Sequence, residues 1–192
     1  MTARILQLCA PYLAVAVFWV GLESAWLTIL AYHAQMLFWT RRRFGSGLGQ
    51  WNARAFTAVA VPAAVAGPVV VVLLPHLARV PVSVWLERYD LSGPTLLLMI
   101  PYFGIVHPVL EQTFWAPLRR NSIVGHAAFA GYHAVVLYTL LPSPWLALVA
   151  GVLALTSVAW ERIAEAGDGL LVAMASHVVA DAGIVVAAWV LS

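Results

Sequence analysis

The chain has 192 residues, of which 63% are hydrophobic and 9% charged, and its mean hydropathy is +0.91. Such a composition excludes a soluble globular domain and calls for a bilayer as solvent. A net charge of +2, carried by arginines in scattered loops without a single lysine, offers no basic stripe and excludes a nucleic-acid-binding surface. The one cysteine, Cys9, has no partner for a disulfide or a cysteine-rich metal site.

A membrane-spanning helix needs about 20 apolar residues, and the sequence supplies several such runs. The first extends from Ile5 to Trp39 with Glu23 and Ser24 near its middle, and reads as a hairpin of two short helices or as one long tilted helix. No small-residue cleavage site closes it, so it is expected to be retained rather than removed as a leader. Arg41, Arg42 and Arg43, the glycine-rich turn Gly45 to Gly49, and Arg54 form the strongest positive loop, which the positive-inside rule puts in the cytoplasm. Ala55 to Leu74 predict a span containing Pro62 and Pro68. His76 to Gly93 is mixed, with Trp85, Glu87, Arg88, Tyr89 and Asp90, and belongs at the far interface.

Pro94 to Trp115 cross back, with kinks expected near Pro101 and Pro108, and deliver Arg119 and Arg120 to the cytoplasmic side. Ile123 to Leu141 cross outward, Pro142 to Pro144 turn the chain, and Trp145 to Trp160 return it. Glu161, Arg162, Glu165 and Asp168 mark a polar loop before the last span, Leu170 to Leu191. The expected architecture is all-α: residues 1–192 form a single integral membrane domain, a helical bundle of six to seven spans with a motif-bearing core over about 94–191. Trp19, Trp26, Trp39, Trp51, Trp85, Trp145 and Trp160 fall near predicted ends or turns and suit interfacial anchors and packing rather than a substrate cage.

Inside these runs lie groups that hydrocarbon does not tolerate without a partner. Glu111, His133 and His177 each sit in an apolar helix, and an intramembrane ionisable residue is a functional-site candidate by default. At about 1.5 Å rise per residue, Glu111 lies roughly 12 Å from Arg119, His177 roughly 12 Å from the loop ending near Gly169, and His133 roughly 15 Å from Ile123. The three therefore reach similar depths. His107 and Glu111, Phe129 and His133, and His177 and Asp181 are each four residues apart, so each pair shares one helical face. Gly125, Ala127, Ala128, Ala130 and Gly131 let neighbouring helices approach His133 closely. His33, His76 and His126, without such pairing, read as interhelical hydrogen-bond glue. Glu23 reads as an interfacial residue at a hairpin turn.

Glu111-Gln112-Thr113-Phe114-Trp115-Ala116, then Phe129-x-x-x-His133, then His177-x-x-x-Asp181 occur in that order on apolar helices. Over about residues 105–185 the chain thereby resembles the CPBP family of intramembrane proteases, the group that includes the Ras-converting CAAX prenyl endopeptidases and the bacterial Abi proteins. The family's first motif is Glu-Glu-x-x-x-Arg, so Gln112 stands for the second glutamate and Ala116 for the arginine. Arg119 or Arg120 would have to substitute for that arginine.

The resemblance implies an intramembrane endopeptidase whose substrate is a membrane-anchored protein or peptide, with processing of carboxy-terminal tails or sorting signals, as in a myxosortase, as one possible task. Glu111 would act on water as general base and then acid, His133 would hold and polarise the same water, His177 would donate to the oxyanion, and Asp181 would orient His177. Gln112, His107, Phe129 and Trp115 would support them. No metal or other cofactor is expected, since there is no His-Glu-x-x-His helix. The alternative is a divalent cation such as zinc on Glu111, His133, His177 and Asp181, with His107 as a fifth candidate. An alternative of another class is a catalytically inactive relative serving as a membrane binding protein or chaperone. The arginine-only composition points to a bacterial inner membrane.

Overall fold

The computed structural model describes residues 2–41, 47–167 and 169–192; the expectations for Arg42, Arg43, Gly45, Ser46 and Asp168 lie outside them. Among the described residues every regular element is helical. α1 (Thr2–Ala14) runs on through a π-helical segment, Val15–Gly21, and a break at residues 22–24 reverses the chain into α2 (Ala25–Thr40). The first apolar run is thus a hairpin of two helices. Glu23, at φ 51°, takes the left-handed turn, and Ser24 caps α2 by accepting from the Leu27 amide. α3 (Ala53–Leu77) absorbs Pro62, Pro68 and Pro75 within one helix and leads to the short interfacial α4 (Val82–Arg88).

α5 (Gly93–Pro101) passes through a π-helical turn, Tyr102–Val106, into α6 (His107–Arg119). The kink expected near Pro101 and Pro108 takes this form, and such turns recur at functional sites. α7 (Ile123–Leu137), α8 (Ser143–Ala166) and α9 (Leu171–Val190) complete the bundle. Among the described residues five stretches are long and apolar enough to cross a membrane: Ala3–Gly21, Ala53–Leu77, Gly93–Arg119, Ser143–Ala166 and Leu171–Val190. α2 and α7 are shorter, at 16 and 15 residues. The protein is an integral membrane helical bundle, and its outer face carries Leu13, Val61, Val72, Leu98, Ile123 and Leu155 exposed while Glu111, Gln112 and Arg119 are buried. That inversion of the soluble pattern follows from hydrocarbon as solvent.

One end gathers Arg4, Arg54, Arg119, Arg120 and Arg162. There Arg4 donates to the Leu118 carbonyl at 3.1 Å, and backbone bonds from Leu170 and Leu171 to Gly47 and Leu48 tie two loops together. The opposite end is closed by aromatic packing, with Trp19 stacked on Tyr89 at 3.8 Å and Trp85 against both. Trp19, Trp85 and Trp160 are 6%, 8% and 4% exposed, so of the two roles expected for the tryptophans these three take packing. Each indole N–H also finds an acceptor, on Val136, Thr139 and Ser176 respectively. Glu23 pairs with Arg88 across this end, remote in sequence and unconnected to Glu111.

α9 packs along α3 in the most extensive helix pair of the bundle. Gly67 makes that approach possible, because a Cβ there would meet the Gly183 carbonyl oxygen at 2.6 Å. At Gly125 a Cβ would run into the Leu118 carbonyl, so only glycine lets α7 leave the turn after α6 at this angle. The first contact seats α9 on α3, and the second seats α7 on α6.

Candidate active site

Three helices converge on Glu111. The carboxylate has no exposed surface, and its Oε1 accepts hydrogen bonds from the hydroxyls of both Tyr32 on α2 and Tyr132 on α7. Tyr32 is itself fixed by the Trp115 indole N–H, 2.9 Å from its oxygen. Among the described residues Glu111 Oε2 has no hydrogen-bond partner, and it faces His107 Nε2 at 3.4 Å and His177 Nε2 at 3.6 Å. Asp181 Oδ2, also buried and unpartnered, lies 3.3 Å from His177 Nε2 and 4.0 Å from His107 Nε2. Two imidazoles and two carboxylates therefore ring one small region, each helix supplying an acid and a histidine one turn apart.

Two chains of polar groups lead away from this ring. Along the first, His107 Nδ1 is 3.0 Å from His33 Nε2, and His33 Nδ1 is 2.9 Å from the Tyr102 hydroxyl. Along the second, Gln112 Nε2 is 3.1 Å from His177 Nδ1, and Arg119 Nη2 donates to Gln112 Oε1 at 2.6 Å. Arg119 is 1% exposed and sits over the rings of Phe129 and Trp160. Arg119, expected at the loop, thus turns inward, and Arg120 does not join it. Trp160 also stacks on the His177 ring at 4.2 Å.

Of the residues singled out from sequence, Glu111, His177, Asp181, His107, Gln112 and Trp115 meet here. His133 stands apart. Its Nδ1 donates to the Phe129 carbonyl one turn back at 2.9 Å, and among the described residues it is joined to neither Glu111 nor Asp181 by a hydrogen bond or ion pair. The reason is geometric: its neighbour Tyr132, one position earlier on α7, takes the place against Glu111, and the two rings stack at 4.0 Å. Phe129 packs against both Trp115 and His133.

Tyr32, Tyr132 and His33 are the residues that sequence reasoning missed. His33 makes the interhelical hydrogen bonds expected of it, to Tyr102 and His107, and through the second of these it also backs a residue of the ring. His126 does act as a tie: it bridges Ser157 at 2.8 Å and Glu161 at 2.7 Å, and Glu161 also accepts from the Asn121 amide. As placed, no three of the histidine, cysteine, aspartate and glutamate side chains among the described residues are arranged to hold a metal ion. Comparisons with family models, curated proteins and solved structures find no match to the chain.

Proposed function

We propose that the protein is an intramembrane endopeptidase of CPBP type that hydrolyses a peptide bond of a membrane-associated protein with Glu111 as general base and acid. The observation that carries this reading is the asymmetric setting of the Glu111 carboxylate, with Oε1 held by two tyrosines and Oε2 buried without a hydrogen-bond partner between two histidines. A base needs one free, oriented lone pair, and an anchored carboxylate with a vacant oxygen supplies it.

In the proposed reaction, water gives a proton to Glu111 Oε2 as its oxygen adds to the scissile carbonyl carbon. The His177 Nε2–H stabilises the resulting oxyanion, a contribution of about 3–4 kcal/mol for a preorganised donor. Glu111 then passes the proton to the leaving amine as the C–N bond breaks. Asp181 orients His177 from one turn away. His133, whose Nδ1–H is committed to a carbonyl, keeps a lone pair on Nε2 for the incoming water. Its role is water delivery rather than contact with Glu111. The gathering of arginines at one end supports an orientation with that end in the cytoplasm of a bacterial inner membrane.

A non-catalytic membrane binding or chaperone role is favoured by one observation: Glu111 and Gln112 have no exposed surface, so water and substrate reach them only if helices part. Cleavage of membrane-anchored peptides by the purified protein in lipid separates the readings. Wild type is expected to cleave, Glu111→Gln to be inactive, and His177→Ala to lose about two to three orders of magnitude in rate. Cleavage that survives Glu111→Gln would remove the proposal, and loss of activity with a chelator would transfer the water-activating role to a bound cation.

A further inference from the structure

We infer that Arg119 and Gln112 are positioning residues that lock His177 in the tautomer bearing its proton on Nε2. What that proton does rests on the peptidase reading; the lock itself does not. A guanidinium has donors only, so the atom of Gln112 that lies 2.6 Å from Arg119 Nη2 is the amide oxygen. The amide nitrogen is then the atom 3.1 Å from His177 Nδ1. An amide nitrogen donates, so Nδ1 holds the lone pair and the neutral ring carries its hydrogen on Nε2. That nitrogen faces Asp181 Oδ2 at 3.3 Å and Glu111 Oε2 at 3.6 Å; among the described residues neither oxygen is hydrogen-bonded, and the other nitrogen near both is His107 Nε2, at 4.0 and 3.4 Å. The opposite tautomer would set a lone pair against two carboxylate oxygens and an N–H against the Gln112 N–H.

The lock is held in place by packing. Trp160 lies against the His177 ring at 4.2 Å and under the Arg119 guanidinium at 5.9 Å, so one indole fixes both ends of the relay. Its own N–H is anchored on Ser176 at 2.8 Å. A carboxylate at position 112 would accept from Nδ1 and reverse the relay, leaving Nε2 without its hydrogen or the ring doubly protonated. Glutamine at 112 therefore goes together with a neutral His177 that donates toward Glu111 and Asp181.

The test is histidine-selective nitrogen NMR on the full-length protein in lipid nanodiscs, with His177→Gln assigning its resonances among the six histidines. The wild-type spectrum is expected to show His177 with an unprotonated Nδ1 and a protonated Nε2. Gln112→Glu, nearly isosteric, is expected to move the proton to Nδ1 or to both nitrogens. Arg119→Met, which frees the amide to flip, is expected to give a mixture of tautomers. A protonated Nδ1 in the wild type, or a His177 spectrum unchanged by Gln112→Glu, would overturn the proposal, and neither depends on Arg119→Met folding. An Nε2–H spectrum in a protein that cleaves no peptide would leave the lock standing and count against the peptidase alone.

Discussion

Gly67 and Gly183 face each other across α3 and α9, yet they should not be equally sensitive to alanine. A Cβ on Gly67 would lie 2.6 Å from the Gly183 carbonyl oxygen and 2.8 Å from its carbonyl carbon, both backbone atoms that cannot rotate away. A Cβ on Gly183 would meet nothing of Gly67 closer than 3.4 Å. Relieving the first contact requires the helices to separate locally by roughly 0.6–0.9 Å, whereas the second is ordinary van der Waals contact. Alanine gains about 1 kcal/mol over glycine in helix propensity, and overpacking costs about 1–3 kcal/mol.

Gly67→Ala is therefore expected to destabilise the protein by up to about 2 kcal/mol net, while Gly183→Ala should be neutral or gain up to about 1 kcal/mol. Gly151→Ala, where a Cβ meets nothing within 4 Å, provides the propensity reference. Equilibrium unfolding in mixed micelles, followed by tryptophan fluorescence, measures all three. Equal stability of Gly67→Ala and Gly183→Ala would refute the reasoning and show that α3 and α9 do not meet at this register.

Tyr32→Phe and Tyr132→Phe each remove a hydroxyl donor from Glu111 Oε1 and should cost about 1–3 kcal/mol of stability. Because each single variant leaves Glu111 Oε1 one donor and only the double leaves it with neither, the double variant should cost more than the sum of the singles in the same unfolding assay. Trp160→Phe keeps an aromatic ring over His177 but loses the bond to Ser176, and a fall of about 0.5–1.5 kcal/mol is expected. At the opposite end, the hydrogen bond from Arg88 holds the Glu23 carboxyl below its ordinary value. Glu23 should accordingly titrate at lower pH than a free glutamate and move up in Arg88→Gln, as carbon-detected NMR would record. Being lowered in the folded state, its contribution is present above the unfolded carboxylate value and fades as pH falls through the folded one. High salt should shrink the effect.

Much of the frame was legible because hydrocarbon punishes polarity. Each long apolar run became a helix, and Glu111, His177 and Asp181 stood out as groups that need partners. The residues that were missed escaped for physical reasons. A tyrosine in an apolar helix breaks no rule of composition, so Tyr32 and Tyr132 gave no sign that their hydroxyls would meet on one carboxylate. Tyr132 lies beside His133 in sequence, but adjacent residues point about 100° apart on a helix, and only the packing of α7 decides which one turns inward. His33 had no polar residue a turn away on its own helix; its partners, His107 and Tyr102, come from another. Arg119 looked like one more loop arginine because its depth was counted in residues, and a long side chain can fold back along its helix toward Gln112.

The π-helical turn at Tyr102–Val106 has a consequence for how this span can change. It puts the two halves of one membrane crossing out of phase, so that Gly104 abuts Ala182 of α9 while His107 and Glu111, just beyond, point into the ring of acids and histidines. Were the same residues to wind as an ordinary α-helix, the surplus residue that the turn absorbs would swing one half by about 100° relative to the other. Either α5 would lose its seat against α9 or Glu111 would turn away from the tyrosines. Point substitutions can drift along this helix, but between Pro101 and His107 its length and its π turn have to change together.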